Sequence, residues 1–467
     1  MSVALGTAHL MAWALMIVAA WGDLWFDEIW SLALVKEAKT WAELLTRFHH
    51  DNNHLLNSVF LQLMGDQKPP IVYRLLAVLS GMGSISVIMY LAKPWGNWAM
   101  LFSVLLAGTS YPLTLYFSEA RGYAPAIFFA LLSYSALLAN LRQFKLSSLL
   151  LFWTTNVLGI LAHLTFLIVS TSLLVFSLAR PVDAGESPIC KLARLLILHL
   201  PPVTFFGWFY LFFVQDMVVG GGPTHSVWSV IRQASALLIG FPEGPLFSGL
   251  AMIAVLAIMV AGVYNLYSAS DGQWLFYLMV LFVSPIVMLI ITQPQYLYFR
   301  YFVVCFPFFY LLLAHLLAHW YGGWPKQTRP LVLVALAILI AGQMIGVFQL
   351  LVLGRGSYTA ALARIAASSP AERPVRIGST HDFQNQLLVE FFVSSRPELQ
   401  RLRYVAQPNW DRENPDWLIT HSQHPSYRPP PGVNIAPIGT YMFVDTYRFS
   451  GISGWNWFLY RREPAIR

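Results

Sequence analysis

Residues 331–353 read LVLVALAILIAGQMIGVFQLLVL, an unbroken run without a charged side chain. Wound into a helix rising about 1.5 Å per residue, it spans about 30 Å, the hydrocarbon thickness of a bilayer. Strands of a membrane barrel alternate apolar and polar positions over about ten residues, and this run does not alternate. The expected fold is therefore mainly α and membrane-embedded. Comparable runs lie upstream at 3–22, 71–92, 97–117, 123–141, 146–162, 164–179, 195–215, 246–267, 273–292 and 299–318, giving about eleven candidate transmembrane helices. The two flanking His163 are short and could form one bent helix. Composition agrees: 57% of the 467 residues are hydrophobic and 11% charged, against about 25% charged in a soluble domain.

The formal charge of +7 informs through its placement, because basic residues stay on the cytoplasmic side of short loops. Loops on the N-terminal side hold Lys93, Arg142, Lys145, Arg180, Lys191, Arg194, Lys326 and Arg329. Opposite them, short connections hold Arg121 and Arg232, with Arg300 at a helix edge. The long first loop, with Lys36, Lys39, Arg47 and Lys68, blurs the count. The expectation is a multi-pass protein of the bacterial inner membrane, N-terminus cytoplasmic and C-terminal domain periplasmic, with no nucleic-acid partner. The first run shows no cleavage signal and is expected to stay as a helix. Cys190 falls in a cytoplasmic loop and Cys305 inside a span, so no disulfide is expected.

Between the spans, the first outer loop (23–70) carries two amphipathic stretches. Leu34, Ala38, Trp41, Leu45 and Phe48 share one stripe within 29–48, and Leu55, Leu56, Val59, Phe60 and Leu63 share another. Both are expected to lie on the membrane surface. Residues 216–245 carry the glycine run 220–222 and continue as a stripe of Val227, Trp228, Ile231, Ala234 and Leu238, the pattern of a mobile interfacial flap. Beyond residue 353 apolar runs shorten and arginine rises, so 1–353 reads as the transmembrane catalytic domain and 354–467 as a small soluble α/β domain. Its strands are expected at 375–378, 416–421, 441–445 and 455–460, with a helix over 382–395.

Ionisable groups at a membrane boundary are costly enough to suggest function. Asp27 and Glu28, in LWFDEIWS (24–31), have an ordinary reading as first-turn acids offsetting a helix dipole. Glu119, in YFSEARGYA (116–124), follows the third span and so returns to the same face. Arg300, in YLYFRYFVVCFPFF (296–309), also arrives there, where a snorkelling anchor is the alternative. Carboxylates with a guanidinium suit displacement of a phosphate leaving group: a base takes a proton from an incoming hydroxyl while arginine stabilises phosphate oxygens. The run HHDNNH (49–54) offers His49, His50, Asp51 and His54 to a divalent metal, although it lacks a recognisable zinc spacing and also reads as a solvated turn. His163 is read as a packing or interfacial residue.

FDEIWS after the first span, His54 in the first loop, SEARGYA after the third span and FRYFVVCFP at 299–307 together resemble the C-type (GT-C) membrane glycosyltransferases. That group uses polyprenyl-phosphate sugars and contains the protein O-mannosyltransferases and the lipid A aminoarabinose transferase. The resemblance covers roughly residues 20–320. It implies an inverting transfer from an undecaprenyl-type donor to a periplasmic lipid, glycan or protein acceptor. By position, it makes Asp27 the base, Glu28 its neighbour and Glu119 the second acid. Arg300, with Arg121 and Tyr301, would bind the donor phosphate, and His54 the substrate. Many relatives have His-Pro-Pro where this chain has His54, Leu55 and Leu56. Arg121 could equally be a local partner of Glu119. Some relatives bind a divalent ion and others work without one. A polytopic transporter or lipid-carrier flippase is the rival from another class, although transporters usually show internal repeats and midplane charges; a glycan ligase or polymerase shares the outer-face site.

Overall fold

A computed structural model describes residues 1–180, 187–242, 244–323, 325–370, 372–424 and 427–463. Residue 243 of the expected flap, and 371, 425–426 and 464–467 of the expected soluble domain, lie outside the described residues. The chain divides into two compact units. The first takes in Met1–Ala20, Ala38–Met64 and Tyr73–Val347, and the second Trp21–Glu37, Gly65–Val72 and Phe348–Arg467. The first loop is thus shared between them.

Among the described residues, eight helical stretches are long and apolar enough to cross a membrane. They are Ser2–Ala19, Leu75–Trp95, Tyr123–Arg142, Pro188–Val214, Pro245–Ser268, Trp274–Thr292, Phe299–Gly323 and Arg329–Ala367, the last being two helices, Arg329–Leu353 and Tyr358–Ala367. The expected spans 97–117, 146–162 and 164–179 are helical but shorter, so eight rather than eleven reach full length. In 97–117 the helix stops at Gly108. Ser110 then leaves helical geometry and its hydroxyl accepts from the Leu113 N–H, opening the short helix Tyr111–Tyr116 with Pro112 in its first turn. The pair around His163 is broken, not bent: His163 is extended (φ −166°, ψ 135°), and its Nδ1 accepts from the Thr165 N–H at 3.1 Å.

Within the most apolar 18 residues of Phe299–Gly323, 83% are buried within the protein, against 22% for Ser2–Ala19. A helix apolar on all sides packs at the centre, and Phe306–Gly323 does. One polar node fixes its neighbours. Tyr310 Oη lies 2.9 Å from Ser110 Oγ and donates to the Leu238 carbonyl, while Gln343 Nε2 donates to the Leu237 and Leu238 carbonyls and its Oε1 accepts from the Tyr111 N–H. These bonds hold the last turn of Val227–Ile239, the helix of the expected flap. Gly240 closes it at φ 71°, where a Cβ would lie 2.5 Å from the Gln343 nitrogen. The flap is therefore anchored at its C-terminal end. Its buried face is Val230, Ser235, Ala236, Leu238 and Ile239, whereas Val227 and Trp228 are exposed.

The expected helix over 29–48 is two helices, Phe26–Glu37 and Trp41–Thr46, because Thr40 starts a new one by capping the Glu43 N–H. The second amphipathic stretch is the helix Leu55–Met64.

In the second unit the strands are β1 (Val375–Ser379), β2 (Leu402–Tyr404), β3 (Trp417–Ser422), β4 (Gly432–Ile435), β5 (Gly439–Tyr447) and β6 (Asn456–Arg462). They form one sheet in the order β2-β1-β3-β6-β5-β4. Pairings β1–β2 and β1–β3 are parallel and the rest antiparallel. The helix Asp382–Ser395 links β1 to β2, as a parallel pair requires. Alternation sends Leu418, Tyr441, Phe458 and Tyr460 to one face, where Val405 and Trp410 complete a core. Trp417 and Trp457 face the other way. There the helix Tyr358–Ala367 covers part of the sheet, with the Tyr358 ring edge-on to Trp457 at 4.8 Å.

Candidate functional site

In the first unit the segment 118–122 reaches its position by a tight turn, with the Arg121 N–H donating to the Glu119 carbonyl at 2.7 Å. Gly122 makes the turn's closest approach: a Cβ there would lie 1.9 Å from the Ala162 carbonyl oxygen and 2.8 Å from the His54 Cβ. The turn thus sits directly against the break at His163 and the first loop. Asn57 Nδ2 donates to the Ala120 carbonyl at 2.9 Å, and Arg121 Nη2 to Asn52 Oδ1 at 2.9 Å. All of Asn52, His54, Asn57, Glu119, Arg121 and His163 are buried.

Rings pack on one another through the middle of this cluster. His54 lies on His163 at 4.6 Å, His163 on Tyr123 at 4.3 Å, and Tyr123 against Tyr116 at 4.8 Å. The Arg121 guanidinium sits 5.1 Å from the Tyr123 ring and that of Arg300 4.5 Å from the Tyr298 ring. Tyr298 also meets the ring of Tyr301. Tyr116 is within electrostatic reach of Glu119, Arg300 and Arg121, and Tyr301 of Arg300, Arg121 and Asp51.

Burial, then the neighbouring His163, Arg121 and Arg300, holds the His54 imidazole well below the usual histidine range. Burial, with Arg121 and Arg300, pushes His163 down to about 3. Both rings are therefore neutral at physiological pH, in a field to which the Arg121 and Arg300 guanidinium groups and the Asp51 carboxylate contribute. An anion entering such a site meets the guanidinium cations, and the neutral histidines add no charge of their own.

Asp51 has a different task. Its carboxylate lies 2.9 Å from His50 Nδ1 and accepts from the Gly220 N–H at 3.0 Å. Despite burial, which raises its pKa, these bonds and Arg121 leave it below the ordinary carboxylate value. Backbone bonds His49–Val218 and Asp51–Val218 extend the tie into a short parallel bridge. The histidines of HHDNNH are spread over different partners. His49 Nε2 bonds the Leu45 carbonyl, His54 stacks on His163, and among the described residues no group of three or more His, Cys, Asp or Glu side chains is placed to hold an ion.

Asp27 and Glu28 belong to the second unit, at the N-terminus of Phe26–Glu37. Glu28 is fully buried, and its Oε2 accepts from the Trp25 N–H at 3.1 Å, the returning half of a capping box. The Asp27 carbonyl accepts from Ser31 Oγ at 2.9 Å. Beside them, the Phe26 ring packs on Phe383 at 5.6 Å and Trp455 at 5.2 Å, and Trp455 on His421 at 5.0 Å. Asp23 accepts from the Thr359 N–H and hydroxyl, both at 2.7 Å.

The expected residues therefore separate into two groups. His54, Glu119, Arg121, Arg300 and Tyr301 gather in the first unit, and Asp27 and Glu28 lie in the second. Sequence reading missed Asn52, Asn57 and Tyr123 as members of the first group and undervalued His163. Only the polar density of NNHLLN (52–57), unusual at the start of an apolar stripe, signalled the asparagines.

No protein-family model matches the chain, and no curated protein matches it by sequence. Among solved structures, the chain is similar to the lipid A aminoarabinose transferase ArnT from Cupriavidus metallidurans in the apo state. Identity is 15% and the TM-score 0.54, over 90% of this chain and 92% of that one. ArnT bound to undecaprenyl phosphate gives 14% identity and a TM-score of 0.48, over 99% and 98% of the two chains. An oligosaccharyltransferase from Archaeoglobus fulgidus, tethered to an acceptor peptide with the NVT sequon, gives 13% identity and a TM-score of 0.50, over 89% of this chain and 68% of that one. Both neighbours are GT-C enzymes, and this chain has their fold.

Proposed function

We propose that the chain is an inverting glycosyltransferase that moves a hexosyl or pentosyl group from a polyprenyl-phosphate carrier to a hydroxyl of a lipid, glycan or protein acceptor. The observation that carries this reading is the site of buried Arg121, half-buried Arg300 and two buried, neutral histidines in a membrane-embedded unit. Its field suits a lipid-borne phosphate, and the fold shared with ArnT and the archaeal oligosaccharyltransferase supports the same chemistry. No observation favours transport or lipid flipping. The reaction belongs at the periplasmic face of a bacterial inner membrane, with the N-terminus cytoplasmic, 1–353 the membrane domain and 354–467 periplasmic.

The step is one displacement. The acceptor oxygen bonds to the anomeric carbon as its proton passes to Asp27, and the bond from that carbon to the phosphate oxygen breaks on the opposite face. The electron pair leaves with the phosphate, whose charge Arg300 and Arg121 stabilise. Tyr301 flanks the phosphate, His54 contacts the substrate, and Glu28 and Glu119 orient the base and the donor site. No protein nucleophile is needed.

The test is purified protein with a panel of polyprenyl-phosphate sugars, measuring release of the lipid phosphate. Asp27→Asn keeps size and removes the base, so the rate should fall by about 10²–10⁴-fold with normal expression; a fully active variant ends that assignment. Arg300→Ala should weaken donor binding and slow turnover, and unchanged kinetics would remove Arg300 from the site.

A further inference from the structure

On one face of the soluble sheet, the helix Tyr358–Ala367 ends at Ser368, beside a groove that Ser369 and Pro370 border. Trp417 of β3, Arg461 of β6 and Met442 of β5 lie side by side in register there. Trp417 itself is covered, its indole donating to Ser369 Oγ, and above it Ile438, Met442, Val444 and Arg461, walled by Arg373 and the turn before β5, line a groove of about 940 Å³. Its volume falls in the range of small-molecule sites, roughly 300–1,000 Å³.

The groove's charge selects its occupant. Arg373, Arg461 and Arg462 line it together with Asp416 and Glu463. Asp416 is already engaged, 3.2 Å from Arg373 and 3.4 Å from Arg376, so its charge is largely answered. The Arg461 guanidinium lies 5.8 Å from the Trp417 ring, held along the floor with its donors available to the groove. Arginine forks recognise phosphate, sulfate and carboxylate groups by paired hydrogen bonds.

Two other occupants fit poorly. A nucleobase would need an open aromatic face, and Trp417 is 1% exposed. A peptide strand would need a sheet edge, and β5 is flanked by β4 and β6. An apolar floor including the exposed Met442, rimmed by guanidinium groups and Thr440, suits sugar rings that carry anionic substituents.

We infer that this groove binds an anionic carbohydrate and serves as the docking site for the acceptor glycan. The acceptor role rests on the proposed glycosyl transfer; the binding does not.

The experiment uses the full chain in lipid nanodiscs, without donor, titrated with a heparin-derived tetrasaccharide, neutral chitotetraose and inorganic phosphate. The tetrasaccharide should bind in a salt-sensitive manner and outbind both others. Arg373→Gln and Arg461→Gln should each weaken it about tenfold, the scale of one charge-assisted contact. Met442→Glu, an exposed site that leaves every arginine in place, should weaken it comparably by repulsion. Equal binding of chitotetraose, equal binding of phosphate alone, no binding of the tetrasaccharide, or wild-type affinity in all three variants would each overturn the inference. Lipid-phosphate release, measured separately on the same preparation, reports on the transfer reading whatever the titration shows.

Discussion

Replacing Gly122 by alanine puts a methyl group where the structure has no room. The new carbon would lie 1.9 Å from the Ala162 carbonyl oxygen and 2.8 Å from the His54 Cβ. Relief to an ordinary contact of about 3.4 Å requires a shift of about 1.5 Å, and the near atom is backbone, which cannot swing aside. Overpacking of this kind costs about 1–3 kcal/mol. The shift would be taken up by the turn carrying Glu119 and Arg121, or by the break at His163. Misplacing catalytic or binding groups by about 1 Å can cost about 100-fold in rate. Gly122→Ala should therefore lower the unfolding midpoint, followed by tryptophan fluorescence in detergent, and slow lipid-phosphate release by about two orders of magnitude. The control is Gly249→Ala, in a helix with nothing within 4 Å of the new carbon; helix propensity there favours alanine by up to about 1 kcal/mol. If Gly122→Ala matched the control in stability and rate, the close packing argued for this turn would be wrong.

Two further outcomes follow from the same geometry. His163 is held near 3 when folded and titrates near 6.5 when unfolded, so between those values only the unfolded chain takes up its proton. Stability should fall as pH drops through this window, by at most about 1.4 kcal/mol per pH unit from this residue. His163→Gln should flatten that slope in thermal melts at pH 4–7, and an unchanged slope would refute the assignment. Glu28→Gln keeps an oxygen to accept the Trp25 N–H, whereas Glu28→Ala loses it and about 1 kcal/mol of stability. Comparing melts with turnover then separates capping from chemistry: a stable Glu28→Gln with lost activity assigns it a reactive role, and equal melts for the two variants would refute the cap.

The spans were legible because membrane burial asks only for apolar length, and runs such as 246–267 and 331–353 supply it without a competing pattern. Four strands and the helix over 382–395 were legible for a related reason: β-branched and aromatic runs between polar breaks. β2 and β4 were not, since three- and four-residue strands near the sheet edges bury too little to alternate. The break at Thr40 left a readable trace, because Thr40 and Glu43 form a capping-box spacing. Ser110 with Pro112 left a similar one. The site itself was half legible. Charges at loop positions named Glu119, Arg121 and Arg300, but the stacking of His54 on His163 joins residues far apart in the chain and has no local signature. The same holds for Phe26 against Phe383 and Trp455.

That last trio bears on how the soluble portion can be studied in isolation. Its fold borrows Trp21–Glu37 from near the chain start, so a fragment beginning at residue 348 or 354 would lack the ring that fills the gap between Phe383 and Trp455. Such a fragment should uncover Trp455, 3% exposed in the whole chain, and clump in solution. Supplying a synthetic 21–37 peptide in trans, or fusing it through a linker, should restore a well-behaved monomer.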